Sequence, residues 1–297
     1  MTTLDEFVDR CWDDHASDPV GVAARMGDVL SLVRDPGGAV MVSMLVHHVF
    51  GEHLGRWEQG IGMLERLAAL AAGGESEAIA IGRCRSSLRL CAGLGDDRAG
   101  MMSGDACRVT AMAACALGQF DSVRSSRYME EAATAADRLP RDDPAIRVVA
   151  SFANNLAGSL QEKKDPSESE QRLMLRSAEL ARKYWELAGT WKEVERAEYR
   201  LAVCSVAAGN GGRALEHANQ CTEIVRNNGS EPLEVFFAAE ARALASRMVG
   251  NDDLFEQALD EAESSYGRID QADQPWCLPT LAKLRTLRRV KESGGGH

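Results

Sequence analysis

Apolar residues recur at spacings of three and four along nearly the whole chain, the period of an amphipathic helix. β-branched and aromatic clusters bounded by turns, the mark of strands, are hard to find. Regular punctuation separates the apolar runs. Asp18-Pro19, Asp35-Pro36, Asp143-Pro144 and Asp165-Pro166 each set a capping carboxylate before a proline suited to a first helical turn. Thr3 with Glu6, Ser167 with Glu170 and Thr190 with Glu193 have the spacing of capping boxes. Stops fall at Gly73-Gly74, Gly95, Gly189, Gly209, Asn228-Gly229 and Gly250. These marks predict about fourteen helices joined as hairpins by short loops. The expected class is all-α.

Composition agrees. Aromatics make up 5% of the chain, against 45% hydrophobic residues in all. The abundant Ala, Leu, Arg and Glu lose little entropy in a helix. The formal charge of −11 speaks against a direct nucleic-acid binder, which needs a positive face to displace phosphate counterions. The charge is uneven. Asp5, Glu6, Asp9, Asp13, Asp14 and Asp18 crowd the start against Arg10 alone, while Lys283, Arg285, Arg288, Arg289 and Lys291 crowd the end against Glu292 alone. Solvated helix faces account for both clusters more simply than docking does. No apolar run approaches the roughly 20 residues that span a bilayer, and the acidic start is unlike a signal or transit peptide. Eight cysteines sit singly, without the two-residue spacing of a zinc or redox motif, and read as small buried apolar residues in a reducing cytoplasm.

Internal repetition sharpens the picture. Leu54-Gly55-Arg56-Trp57, Leu117-Gly118-Gln119-Phe120, Ala208-Gly209-Asn210-Gly211 and Val249-Gly250-Asn251-Asp252 each follow an Ala-rich helix and open a second amphipathic one. Gly55 with Trp57, and Gly118 with Phe120, resemble the turn glycine and following aromatic of the tetratricopeptide repeat. Ala202, Gly209, Ala214 and Cys221 match its small-residue positions, and Asn154-Asn155-Leu156-Ala157 resembles a kinesin-light-chain-like repeat helix. The turns at Gly55, Gly118, Lys164, Gly209 and Gly250 lie farther apart than that family's period of about 34 residues. The resemblance covers roughly Val40 to Val290. It implies a right-handed superhelix of antiparallel helix pairs, a TPR-like α-solenoid with a concave groove. The whole of 1–292 is expected to form one such domain, with 1–35 as capping helices and 293–297 as a flexible tail.

Motif chemistry is absent. There is no phosphate loop, no Gly-x-Ser-x-Gly elbow, no His-Glu-x-x-His pair and no dinucleotide fingerprint. No catalytic residue and no cofactor are implied. His47, His48, Glu52 and His53 crowd two turns, and His48 with Glu52 share one face. A metal needs three or four converging ligands, so His48, Glu52 and His53 are weak candidates unless another helix completes the set. His47 and His48 are expected to be packing or surface residues instead.

In the tetratricopeptide proteins that hold peptide tails, an Asn on a first helix bonds the peptide backbone and Lys or Arg grips carboxylates. The resemblance assigns that Asn position to Asn155 and the equivalent place in the next unit to Arg200. Arg196, Asn154, Arg147 and Arg242 are placed on the same face. An amide both donates and accepts, which suits an extended peptide, and a guanidinium suits a carboxylate. Tyr184, Trp185 and Trp191 are expected to staple helix ends, Trp276 to close the last helix onto the array, and Met41, Met44, Met101 and Met102 to fill core gaps.

The expected function is a cytoplasmic protein- or peptide-binding scaffold or regulatory adaptor, without direct contact to nucleic acid or membrane and with homodimerisation open. A ligand- or signal-peptide-sensing regulator arm is the alternative. An enzyme with an atypical helical site is the third reading, and a deep closed pocket with converging carboxylates or histidines would favour it.

Overall fold

The computed structural model describes residues 3–71 and 74–293, and among them it contains fourteen α-helices and no strand. The chain divides into two compact units, 1–160 with 166–173 and 161–165 with 174–297.

The first unit holds α1 (Leu4–Asp14), α2 (Pro19–Val29), α3 (Pro36–Val46), α4 (Trp57–Leu70), α5 (Glu75–Ala92), α6 (Ser103–Leu117), α7 (Ser122–Ala136) and nearly all of α8 (Pro144–Gln161), and α9 (Glu168–Ala188) begins in it. A seven-residue π-helical turn, His47–His53, continues α3, and a 3-10 turn, Asp97–Gly100, follows α5. The starts are capped as the local sequence dictates. Thr3 and Glu6 form a capping box, and Asp18 and Asp35 accept from Gly21 and Gly38 N–H ahead of prolines in the first turn. Consecutive helices then pack on one another, α4 on α5, α5 on α6 and α6 on α7. Between Val109 and Leu117 every residue of α6 is buried, the all-round apolar surface of a helix enclosed by neighbours. Leu64, Leu67 and Leu88 complete this core, each contributing about 1.5–3 kcal/mol by leaving water.

In the second unit, most of α9 is followed by α10 (Trp191–Ala207), α11 (Gly211–Asn227), α12 (Pro232–Met248), α13 (Asp252–Tyr266) and α14 (Gln274–Ser293). Again neighbours pair, α10 with α11 and α12 with α13. Ala202, Ala214, Ala218, Ala241 and Ala245 meet in one buried cluster, where small side chains let the backbones approach. Phe236, Phe255, Leu259, Leu281 and Leu284 form the larger apolar core. Each unit is thus assembled as an α-solenoid is, from consecutive helix pairs.

Several expectations need correction. Gly55, Gly209 and Gly250 are left-handed turn residues (φ +59°, +74° and +71°), but Gly118 is right-handed at φ −51°. Gly118 is small because a Cβ there would lie 2.2 Å from Leu156 Cδ1, so close packing rather than turn geometry selects it. Trp276 does not close the last helix: it is 77% exposed, and Cys277, Leu281 and Leu284 bury in its place. Met41, Met44 and Met102 are exposed rather than gap-filling. α14 extends to Ser293, and the remainder of the expected tail lies outside the described residues, as does Gly73. Two members of the basic C-terminal cluster are engaged within their own unit, Arg285 with Glu263 at 2.7 Å and Arg288 with Glu256 and Asp260 of α13.

Candidate functional site

In the first unit, α1, α3, the π-helical turn, α5, α6 and α8 converge on a cavity of about 350 Å³. Its apolar lining includes Trp12, Met44, Met112, Val148 and Phe152; its polar lining includes His47, His48, Glu52, Arg83, Arg108, Ser151 and Asn155. Arg83 and Arg108 both reach Asp105, at 2.7 and 2.9 Å, so two guanidiniums share one carboxylate on this wall. Asn155 is exposed, and among the described residues its amide makes no hydrogen bond. Its donors and acceptor stay available to a ligand.

The π-helical turn gives the cavity its histidine wall. Leu54 N–H donates to the Val49 carbonyl at 3.1 Å and Arg56 N–H to Phe50 at 2.8 Å, spacings wider than those of an α-helix. The turn ends at left-handed Gly55, and Trp57 Nε1 donates back to the Gly51 carbonyl at 3.3 Å. His47 is buried and satisfied, with Nε2 at 3.0 Å from Ser87 Oγ and Nδ1 at 3.3 Å from Glu52 Oε1. His48 Nδ1 meets the other Glu52 oxygen at 2.9 Å, and the Cys115 thiol donates to that same oxygen at 3.4 Å. Burial alone would raise the Glu52 carboxyl; hydrogen bonds from His47 and His48, with their charge, hold it below the usual carboxylate range.

Beside Glu52 lies a cluster that includes a residue missed in the sequence. His15, the C-cap of α1, joins His48 and His53, and one ring nitrogen from each lies within 4.8 Å of the other two. The ring centroids are 4.7–5.2 Å apart, and His53 Nε2 is 3.1 Å from His48 Nε2. Trp12 packs on both His48 and His15, with centroids at 5.1 and 5.3 Å. Burial, then the nearby His48 and His15, lower the His53 pKa to about 4, so this ring is neutral at ordinary pH. The helix needed to complete a ligand set is therefore α1. The chain itself offers a faint signal for His15, three residues beyond Trp12 at the end of a capped helix.

The residues expected to share one face separate. Asn155 lines the cavity; Asn154, its neighbour, is half-buried, and Arg147 is exposed on the same helix. Arg196, Arg200 and Arg242 belong to the second unit. Arg196 binds Glu234 of α12, at 2.5 Å, not the glutamates of its own helix. Arg200 reaches Gln161 at 3.4 Å and leaves its Nε buried without a partner. Arg242 is buried and paired with Glu261 of α13. The histidine candidates divide likewise: His48 and His53 enter the three-histidine cluster, while Glu52 supports it from behind.

The second unit buries acids instead. Glu195, Glu198, Glu234 and Glu240 are all nearly inaccessible. Glu198 is held by Arg182 and His217 at 2.5 and 2.8 Å, and Glu240 accepts from Tyr199 Oη at 2.9 Å. Glu234 is held by Arg196, and these acids line no described cavity.

All eight cysteines are buried and none forms a disulfide, and no helix of the described residues is long and apolar enough to cross a membrane. No protein-family model matches the chain, and no curated protein is significantly similar to it.

Proposed function

We propose that this chain is a binding module, a scaffold or regulatory adaptor of the tetratricopeptide-like kind, that captures a peptide or protein partner through the cavity of its first unit. The single observation that carries this reading is the amide of Asn155, unengaged in the lining of a cavity that it shares with apolar side chains and with Arg83 and Arg108. Such a pocket takes one side chain or chain terminus of a partner: the apolar lining desolvates it, the amide reads its backbone, and the arginines favour a carboxylate. Eight buried cysteines outside any disulfide support a reducing, cytoplasmic setting.

The test is selection of displayed random peptides on the full chain, followed by affinity measurement on the enriched sequences. A converging motif that loses at least about tenfold in affinity with Asn155→Ala, about 1.4 kcal/mol, and little with Arg196→Ala supports the reading. Enriched peptides held equally by Asn155→Ala, or no enrichment at all, would sink it. A second reading has its own support in the cavity volume, which lies within the range of small-ligand sites, about 300–1,000 Å³. In that case the chain is a ligand-sensing arm, and small molecules rather than peptides would raise its melting temperature.

A further inference from the structure

His15, His48 and His53 come from two places in the chain, the end of α1 and the π-helical turn, and turn ring nitrogens toward one point. Packing alone does not ask for that. Three half-buried imidazoles fill space no better than hydrocarbon, and they carry polar atoms that need partners. The hydrogen bonds behind two of the rings specify which atoms are left over. Glu52 Oε2 accepts from His48 Nδ1, and the Trp12 carbonyl accepts from His15 Nδ1. Each bond places the proton on Nδ1 and leaves Nε2 free of it, and the His48 Nε2 stands 3.1 Å from His53 Nε2. A carboxylate or backbone carbonyl behind the imidazole is the arrangement that fixes tautomer and ring orientation in metal-ligating histidines.

We propose that His15, His48 and His53 form a binding site for an imidazole-preferring divalent transition metal such as zinc, with Glu52 as the positioning residue behind His48. A tetrahedral ion with Zn–N bonds of about 2.0–2.1 Å needs nitrogens roughly 3.3 Å apart. His48 and His53 already stand at 3.1 Å. His15 closes the remaining gap, at most about 1.5 Å, by a side-chain rotation at the end of its helix. Without metal, His53 Nε2–H donates to His48 Nε2. On binding, the His53 proton passes through solvent from Nε2 to Nδ1, which frees His53 Nε2 to ligate beside His48 Nε2. Three protein ligands leave the fourth position for water or an incoming donor atom, the open pattern of a functional site rather than the closed one of a structural site. The ion also ties α1 to the turn, beside the cavity wall that Trp12 and His48 share. This inference stands apart from the peptide reading, because Asn155 is not among the ligands.

The test is calorimetric titration of zinc chloride into the chelator-treated full chain, with far-UV circular dichroism to verify the fold of every variant. One equivalent is expected to bind. His15→Ala, His48→Ala and His53→Ala should each weaken binding by at least about 100-fold, and Glu52→Gln by about 10–100-fold, the range for outer-shell partners. His217→Ala and Asn155→Ala should bind as the parent does. Zinc should also raise the melting temperature of the parent and leave that of His15→Ala unchanged, since a metal that binds only the folded state stabilises it by mass action. With cobalt(II) the parent should show the visible bands of a tetrahedral site without thiolate charge transfer. Absence of a one-equivalent transition, or equal affinity in His15→Ala, would overturn the proposal.

Discussion

Glu195→Gln should remove a pH-dependent weakness from the second unit. Glu195 is wholly buried on α10. Its Oε1 accepts from the Cys221 thiol at 2.8 Å, but Oε2 faces no donor. Burial, together with the charge of the adjoining Glu234, raises its pKa to about 8 from the ordinary 4.5, although the Cys221 hydrogen bond opposes the shift. The orphan oxygen is explained if it carries the proton and donates to Glu234. The sign then follows from linkage. Between about pH 4.5 and pH 8 the folded state holds a proton that the unfolded state has released, so stability falls as pH rises through that interval and levels off above it. Each pH unit costs about 1.4 kcal/mol, so this one group removes on the order of 3 kcal/mol between pH 5 and pH 8. Glutamine reproduces the protonated acid: its carbonyl accepts from Cys221, its amide donates to Glu234, and neither titrates. Urea unfolding of parent and variant, followed by far-UV circular dichroism, should give nearly equal stabilities near pH 5 and a variant advantage of about 3 kcal/mol near pH 8. A gap that stays constant across that range, or a variant weaker at every pH, would refute the reasoning.

Three further outcomes rest on local geometry. Gly55→Ala should cost about 1–2 kcal/mol in urea unfolding, because its left-handed backbone disfavours a Cβ and that Cβ would stand 2.9 Å from the Phe120 ring; an unchanged midpoint would contradict this. Thr190→Ala should cost about 1 kcal/mol by breaking the capping box with Glu193 at the start of α10, and the loss should be largely absent in a Glu193→Ala background. The eight buried thiols should resist an aromatic disulfide reagent in the native chain and react together after denaturation; Cys84 and Cys91, which burial pushes up to about 12, should be among the slowest, and prompt native labelling of either would count against the packing of α5.

What could be read from the chain, and what could not, divides by the range of the interaction. The helix starts at Thr3, Asp18, Asp35 and Thr190 are set by bonds spanning two or three residues, so their residue types announce them. The all-helical class follows from many such local signals agreeing. Partners that lie far apart in sequence carry no comparable mark. Arg196 is one turn from Arg200, and helical spacing alone makes them companions; the fold gives Arg196 to Glu234 and turns Arg200 toward Gln161. Trp276 follows the same logic. Its flanking prolines look like a closure, yet the face of α14 that meets α12 and α13 is set by Cys277, Leu281 and Leu284.

The histidine cluster fails to show in the sequence for a different reason, one of register. At 3.6 residues per turn, His48 and Glu52 share a stripe while His53, five residues on, rotates about 140° away. A π-helical turn widens the repeat to the i→i+5 bonding pattern, and residues five apart then stand nearly above one another. His48 and His53 meet at 3.1 Å because the backbone from His47 to His53 takes this form. Such turns are rare and cost stability relative to a continuous α-helix, and they are retained chiefly where a side-chain arrangement requires them. Here the turn also frees Glu52 to hold His47 with one oxygen and His48 with the other, an arrangement that fixes the His48 ring before any ion arrives. α1 then needs only one residue past its last turn to deliver His15. The departure from helical regularity and the convergence of three imidazoles are one feature, and the zinc titration of the His15 variant tests both.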